Sequence, residues 1–248
     1  MKLALPLIAA LVVSTPAFAQ DTVGTGANQL SFDLGLGAVY KPSYRGSDEL
    51  EASPWLIMRN LRVGGVGGEK SDGFSLSPSV DLVGTRDSDD DERLTGLDEI
   101  DRAYELGLKG TYKVGATTAY GTMRKGFGGH KGVTGELGAT YRFETTDRMT
   151  FWAGVEAGYG NGKYNETYFG ISDDEAARTD FSAYSLDGGF NSAAVSLEGR
   201  YELNSNTAIL GAVKFSRIIG DAADSPIVED RNQPSVKLGI VRTLNFAF

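Results

Sequence analysis

Val133-Thr134-Gly135-Glu136-Leu137-Gly138-Ala139-Thr140-Tyr141-Arg142-Phe143 alternates with a period of two. Val133, Gly135, Leu137, Ala139, Tyr141 and Phe143 share one face, and Thr134, Glu136, Gly138, Thr140 and Arg142 share the other. Successive side chains of a strand point to opposite faces, so this segment reads as a β-strand with one apolar and one charged side. The pattern recurs at Leu30 to Tyr40, Tyr104 to Val114, Phe151 to Tyr159, Ala193 to Leu203, Ile209 to Phe215 and Val236 to Phe248, where Arg242 interrupts the apolar face. It is weaker at Trp55 to Val63, Phe74 to Val83 and Ala116 to Arg124.

A soluble sandwich also alternates. Two features favour a transmembrane antiparallel β-barrel. Charges of both signs (Glu105, Lys109, Glu136, Arg142, Glu156, Glu198, Arg200, Lys214, Lys237) fall mid-strand on the polar face, as a hydrated lumen requires. Aromatic residues gather at strand ends (Tyr40, Tyr104, Tyr112, Phe143, Phe151, Tyr159, Tyr201, Phe215), where girdles meet the two membrane interfaces. Short turns at Lys113 to Ala116, Glu144 to Arg148 and Asn204 to Asn206 alternate with long polar connections at Arg86 to Arg102, Gly160 to Tyr184 and Asp221 to Gln233. Short periplasmic turns and long extracellular loops are the outer-membrane layout. The expected count is about ten strands; a split of Trp55 to Gly68 would raise it to about twelve. At about ten strands side chains fill most of the interior, since aqueous channels need about 16.

Composition agrees. The chain has 248 residues, no Cys, one His and a net charge of -9. Thiol chemistry, disulfides and a histidine-rich metal site are thereby excluded, and an acidic balance disfavours nucleic acid as a partner. No cofactor is expected. Mean hydropathy is -0.21, as expected where only alternate strand residues meet lipid. The 33 glycines are near twice the average share of about 7%. Many lie within strands, such as Gly35, Gly37, Gly107, Gly138, Gly199 and Gly239, where they relieve crowding in a strongly curved wall.

The first 19 residues read as a cleaved signal peptide: Lys2, an apolar run from Leu3 to Val13, then Ala17-Phe18-Ala19 before Gln20. Residues 20–248 are then a single barrel domain in the outer membrane of a Gram-negative cell, in contact with lipid and lipopolysaccharide. The chain ends on Leu244-Asn245-Phe246-Ala247-Phe248. Phe246 and Phe248 resemble the signal read by the barrel assembly machinery.

Loop motifs carry a family resemblance. They are Tyr44-Arg45-Gly46-Ser47-Asp48, Gly96-Leu97-Asp98-Glu99-Ile100-Asp101, Gly128-Gly129-His130-Lys131-Gly132, Thr167-Tyr168-Phe169-Gly170-Ile171-Ser172 and Gly220-Asp221-Ala222-Ala223-Asp224-Ser225-Pro226-Ile227-Val228. From about Leu30 to Phe248 the chain resembles the MipA/OmpV family of outer-membrane proteins, departing from it at Lys131, where members often carry Asp. Tyr44, Gly46, Asp48, Gly129, His130, Gly132, Tyr168, Phe169, Gly170, Asp221, Ser225 and Pro226 are the motif positions that matter. The resemblance implies a non-enzymatic scaffold, linked through a lytic transglycosylase and a penicillin-binding protein to peptidoglycan synthesis and remodelling. It also admits an antibiotic- or solute-binding barrel, a narrow transporter or an adhesin. The resemblance implies no catalytic residues.

Three further features are weighed directly. His130 is the lone imidazole and the natural general base for a lipid hydrolase, but it stands between glycines with no nucleophile motif beside it. Asp87-Ser88-Asp89-Asp90-Asp91-Glu92 offers oxygen ligands for a divalent cation, yet lacks the glycine and distant Glu of a calcium loop. A solvated acidic loop is the simpler reading. Gly64-Gly65-Val66-Gly67-Gly68 leads into no helix, so it reads as strand curvature or a bulge.

Overall fold

A computed structural model describes residues 29–63, 72–88 and 91–247. The expected signal peptide, the glycine cluster at 64–68, Asp89, Asp90 and Phe248 lie outside the described residues. Ten antiparallel strands form one sheet: β1 (Gln29–Pro42), β2 (Leu50–Val63), β3 (Gly73–Val83), β4 (Ala103–Val114), β5 (Thr117–Gly128), β6 (Val133–Thr146), β7 (Met149–Gly160), β8 (Gly189–Asn204), β9 (Thr207–Ile218) and β10 (Asn232–Ala247). Two short helices, α1 (Gly162–Phe169) and α2 (Asp173–Ala176), occupy the longest loop. Among the described residues no helix is long and apolar enough to cross a membrane. Among the described residues the count is the ten that the alternation gives, and β2 is one unsplit strand over Leu50–Val63. The weaker segments come out longer than their alternation: β5 runs on to Gly128 and β2 starts at Leu50.

The sheet is inside out relative to a soluble protein. Leu36, Leu56, Leu76, Leu137 and Leu238 are 58–66% exposed, whereas Asp33, Glu105, Thr122, Arg124 and Thr134 are less than 9% exposed. The apolar faces look outward and the charged faces line a lumen, the arrangement that a hydrocarbon surround selects. Outward aromatics form two tiers. Tyr40, Tyr104, Phe127, Tyr159, Phe190 and Phe215 stand toward the long loops, and Phe74, Tyr112, Tyr141, Phe143, Tyr201 and Phe246 toward the short turns. On β4 the tiers are Tyr104 and Tyr112, about 27 Å apart along the strand at about 3.4 Å per residue. Arg242, which breaks the apolar pattern, pairs with Thr207 at the first residue of β9, so its charge sits at the rim within reach of headgroups. A charge at mid-height has no such exit. Leu36→Lys is expected to cost about 2–4 kcal/mol of barrel stability, measured by urea unfolding in lipid vesicles. An unchanged midpoint would contradict the lipid-facing assignment.

β1 follows β10 in the ladder, with Gly37 directly opposite Gly239. The sheet ends on β2 and β3, and among the described residues no ladder joins these two. Pro54 and Pro78 sit in these two end strands, where a missing N–H interrupts the fewest bonds. The register of β1 on β2 shifts between Ser31 and Asp33. Asn60 there takes φ of 56°, and its amide donates to Asp33 Oδ2 at 2.9 Å.

The lumen is filled in tiers. Near the short turns, Ile57, Ala208, Leu210 and Val241 make a small apolar core beside Trp55, seated against the Gly37–Gly239 wall. At the same level Arg200 donates to Asp33 at 2.7 Å and to Glu202 at 2.5 Å. At mid-height Arg59 pairs with Glu198 at 2.5 Å and Lys214 with Glu156 at 2.7 Å. Nearest the long loops, Arg124 gathers Glu105 at 2.8 Å, Glu136 at 2.6 Å and Asp81 at 3.7 Å. Most of the mixed charges of the strands thus pair across the lumen, with Arg59 and Arg124 as members that alternation alone did not single out.

Candidate functional site

The long loops of one rim fold together into a cap over the Arg124 tier. Ile100, Tyr164, Tyr168, Phe169, Leu186, Ile218, Ala222 and Ala223 form one buried cluster, and Tyr44, Leu94, Ile171 and Ile227 a second. Segments far apart in sequence supply each. α1 begins where Asn161 caps it, accepting from the Tyr164 N–H at 3.1 Å, and α2 begins with a capping box between Ser172 and Glu175. Burial raises the Tyr44, Tyr164 and Tyr168 phenols above their ordinary range, so they stay neutral. Burial also acts to raise the Glu175 carboxyl, but N–H bonds from Asp98 and Ser172 and the Ser172 hydroxyl hold it below its usual value. Its contribution to the cap is complete above the ordinary Glu range and fades as pH falls through the lowered value.

The motif positions converge here. The Tyr44 hydroxyl donates to the Ile227 carbonyl at 3.1 Å. Gly46, at φ of 107°, donates its N–H to Gln233 Oε1 at 3.0 Å, and its carbonyl accepts from Glu229 and Asp230. Asp48 stands at the exposed edge beside Glu229. The Ser225 hydroxyl donates to the Phe169 carbonyl at 2.6 Å, Arg93 donates to the Pro226 carbonyl at 3.0 Å, and Tyr184 donates to the Asp221 carbonyl at 2.8 Å. The Gly170 N–H closes α1 on the Glu166 carbonyl at 3.0 Å. Gly129 and Gly132 allow close approach: a Cβ on Gly129 would meet the Asp101 carbonyl oxygen at 1.8 Å, and one on Gly132 the Tyr164 Cβ at 2.6 Å. Phe246 is exposed on β10 and stacks on Phe32 at 5.9 Å, apart from the cap.

His130 lies at the joint between cap and wall, with its side chain fully buried. The Gly132 N–H donates to Nδ1 at 3.3 Å, which leaves the proton on Nε2, directed at Glu105 Oε1 at 3.0 Å. Glu105 Oε2 accepts from Arg124 Nε at 2.8 Å and from the Thr134 hydroxyl at 3.0 Å. The imidazole packs edge-on against Tyr164 and Tyr168 at 5.0 and 5.6 Å. Both ring nitrogens are committed to structural partners, so the ring bolts the cap to β4. Gly126 leaves it room: a Cβ there would meet His130 Cε1 at 2.1 Å. With the ring held by Tyr164, Tyr168 and Glu105, Gly126→Ala is expected to cost about 1–3 kcal/mol and to loosen the cap. Trypsin cleavage at exposed Arg178 would then accelerate while the barrel stays intact; unchanged cleavage would remove His130 as the bolt.

The sequence reading missed Arg45 and Arg86. The Arg45 guanidinium lies over Tyr164 and Tyr168 at 5.6 and 5.5 Å, and Arg86 donates to the Tyr168 carbonyl at 3.2 Å. Their placement depends on where α1 docks, which no local pattern announces. In the acidic run, Asp91 caps a 3-10 turn (Glu92–Leu94), accepting from Arg93 N at 2.9 Å, and accepts from the Ser47 hydroxyl at 3.2 Å. Among the described residues no group of three or more His, Asp or Glu is arranged to hold a metal ion.

Comparison with known proteins adds three findings. The family described as MltA-interacting protein MipA matches residues 34–244. The MltA-interacting proteins of Escherichia coli (strain K12) and Shigella flexneri are each 24% identical over 128 residues, 50% of this chain and 51% of theirs. The chain thus spans about half the length of the curated relatives it matches. Among solved structures, the outer membrane channel from Pseudomonas putida F1 superposes with a TM-score of 0.52 at 13% identity, covering 91% of this chain and 100% of that one. That likeness is one of fold.

Proposed function

The chain belongs to the MltA-interacting protein family, and on that premise we propose that it is a non-enzymatic outer-membrane scaffold that docks a lytic transglycosylase. The observation that carries the proposal is the family match across the barrel from residue 34 to 244; two relatives are named for such an interaction. The docking surface is the short-turn rim, which faces the periplasm and therefore the murein. A cleft of about 400 Å³ opens there between Arg148, Arg200, Glu202, Leu203, Asn204 and Ser205. The committed nitrogens of His130 support a role without catalysis, because no lone pair is left to accept a substrate proton. A penicillin-binding protein would join through the transglycosylase. Export by the N-terminal leader and recognition of the terminal Phe by the assembly machinery complete this reading.

The test is site-specific photo-crosslinking in cells, with the crosslinker at Arg148 or Asn204 and, as a control, at Arg178 in the cap. A murein-cleaving enzyme captured from the two rim positions and not from Arg178 is the expected result. Capture from Arg178 alone, or of no murein enzyme, would overturn the proposal.

A further inference from the structure

The mid-height tier holds more positive than negative charge. Arg59 and Lys214 are paired with Glu198 and Glu156. Lys109 and Lys237 have no hydrogen bond or ion pair among the described residues; their ammonium groups rest over the Tyr120 and Trp55 rings at 4.1 and 5.4 Å. Lys109 feels Glu136 and Glu156, and Lys237 feels Asp81 and Glu198, but each of these carboxylates already has a cation of its own: Arg124 for Glu136 and Asp81, Lys214 for Glu156 and Arg59 for Glu198. The Arg124 tier, with Glu105, Glu136 and Asp81 around one guanidinium, thus has two more carboxylates than cations, and the mid-height tier has two more cations than carboxylates.

This excess borders a space. A cavity of about 280 Å³ lies among Trp55, Arg59, Glu198, Ala212, Lys214 and Lys237. At about 30 Å³ per water it has the volume of about nine waters, enough for a small organic molecule. Lys214 and Lys237 come from the neighbouring strands β9 and β10, with Lys214 opposite Ser235 and Lys237 opposite Ala212. Trp55 and Ala212 supply an apolar wall beside these cations. A charged group in a partly dehydrated lumen gains most from an oppositely charged partner that also brings its own hydrogen-bond acceptors.

We propose that this mid-lumen cavity is a binding site for a small organic carboxylate, its anionic group held by Lys237 and Lys214 and its apolar body set against Trp55 and Ala212. The site is independent of the docking rim and of the scaffold reading, because its residues are lumenal.

Calorimetric titration of the full chain, folded in detergent, tests this with benzoate, its neutral isostere benzamide, and inorganic phosphate. Benzoate is expected to bind saturably, with benzamide and phosphate each at least tenfold weaker. Lys237→Gln should weaken benzoate about tenfold and Lys237→Arg should restore it. Glu198→Gln frees Arg59 and should tighten benzoate severalfold, which mere disruption of the lumen would not do. Retained resistance of each variant to unheated SDS shows that its barrel has folded. Absence of benzoate binding, equal binding of benzamide, indifference to Lys237→Gln, or tighter phosphate binding would overturn the proposal. Photo-crosslinking at the rim in the Lys237→Gln background separates the two readings, since capture there does not depend on this site.

Discussion

Glu105→Ala is expected to destabilise the barrel by about 3–5 kcal/mol, the range found when one member of a buried charged network is removed. Glu105 is 2% exposed and takes three donors at once: His130 Nε2, Arg124 Nε and the Thr134 hydroxyl. Truncation leaves all three facing a void and strips Arg124 of its most buried partner. The effect should reach the cap, because His130 is the joint between cap and wall. In urea titration the midpoint should fall, and trypsin should cut the cap loops before the barrel unfolds. Glu105→Gln keeps the shape and one acceptor, so it should lose about half as much. A loss below about 1 kcal/mol for Glu105→Ala would show that Glu136 and Asp81 satisfy Arg124 by themselves.

Gly107→Val is expected to abolish folding altogether. Gly107 lies opposite Arg124 in the β4–β5 ladder, and a Cβ there would stand 1.9 Å from the Met123 carbonyl oxygen and 2.6 Å from the Arg124 Cα. Both are backbone atoms of the adjacent strand, so no side-chain rotation relieves the clash, and the strands must part within the membrane. Gly211→Ala is the matched control: its nearest neighbours lie at 3.9 Å. Refolding into detergent, followed by gel mobility before and after boiling, reads both. The valine variant should show no heat-modifiable band and the alanine variant a normal one. A folded Gly107→Val barrel would mean that close strand approach does not constrain this wall.

These two cases also show what was legible in advance. Period-two alternation along Val133 to Phe143 and its counterparts assigned each strand residue to a face, and structure kept that assignment with the apolar face outward. The excess of glycine was legible as crowding relief, and Gly107, Gly37 and Gly239 bear that out at backbone contact distance. The loop motifs were visible as separate stretches. Their union in one cap was not, because Tyr44 and Ile227 meet across 183 residues.

The sequence by itself determined the class of fold and which side chains turn inward, because facing is a property of a single strand's repeat, but it left the choice between about ten and about twelve strands to the structure. It could not name the partners. Arg124 is one residue on the polar face of β5 until curvature brings Glu105, Glu136 and Asp81 to it from β4, β6 and β3. Lys237 and Lys109 look equivalent to Lys214 in sequence, yet only Lys214 finds a carboxylate. Pairing across a lumen depends on the register and curvature of the whole sheet at once, and only the folded wall sets those quantities. The same holds for the ends of the sheet: β2 and β3 become its two margins through the ladder order of all ten strands among the described residues.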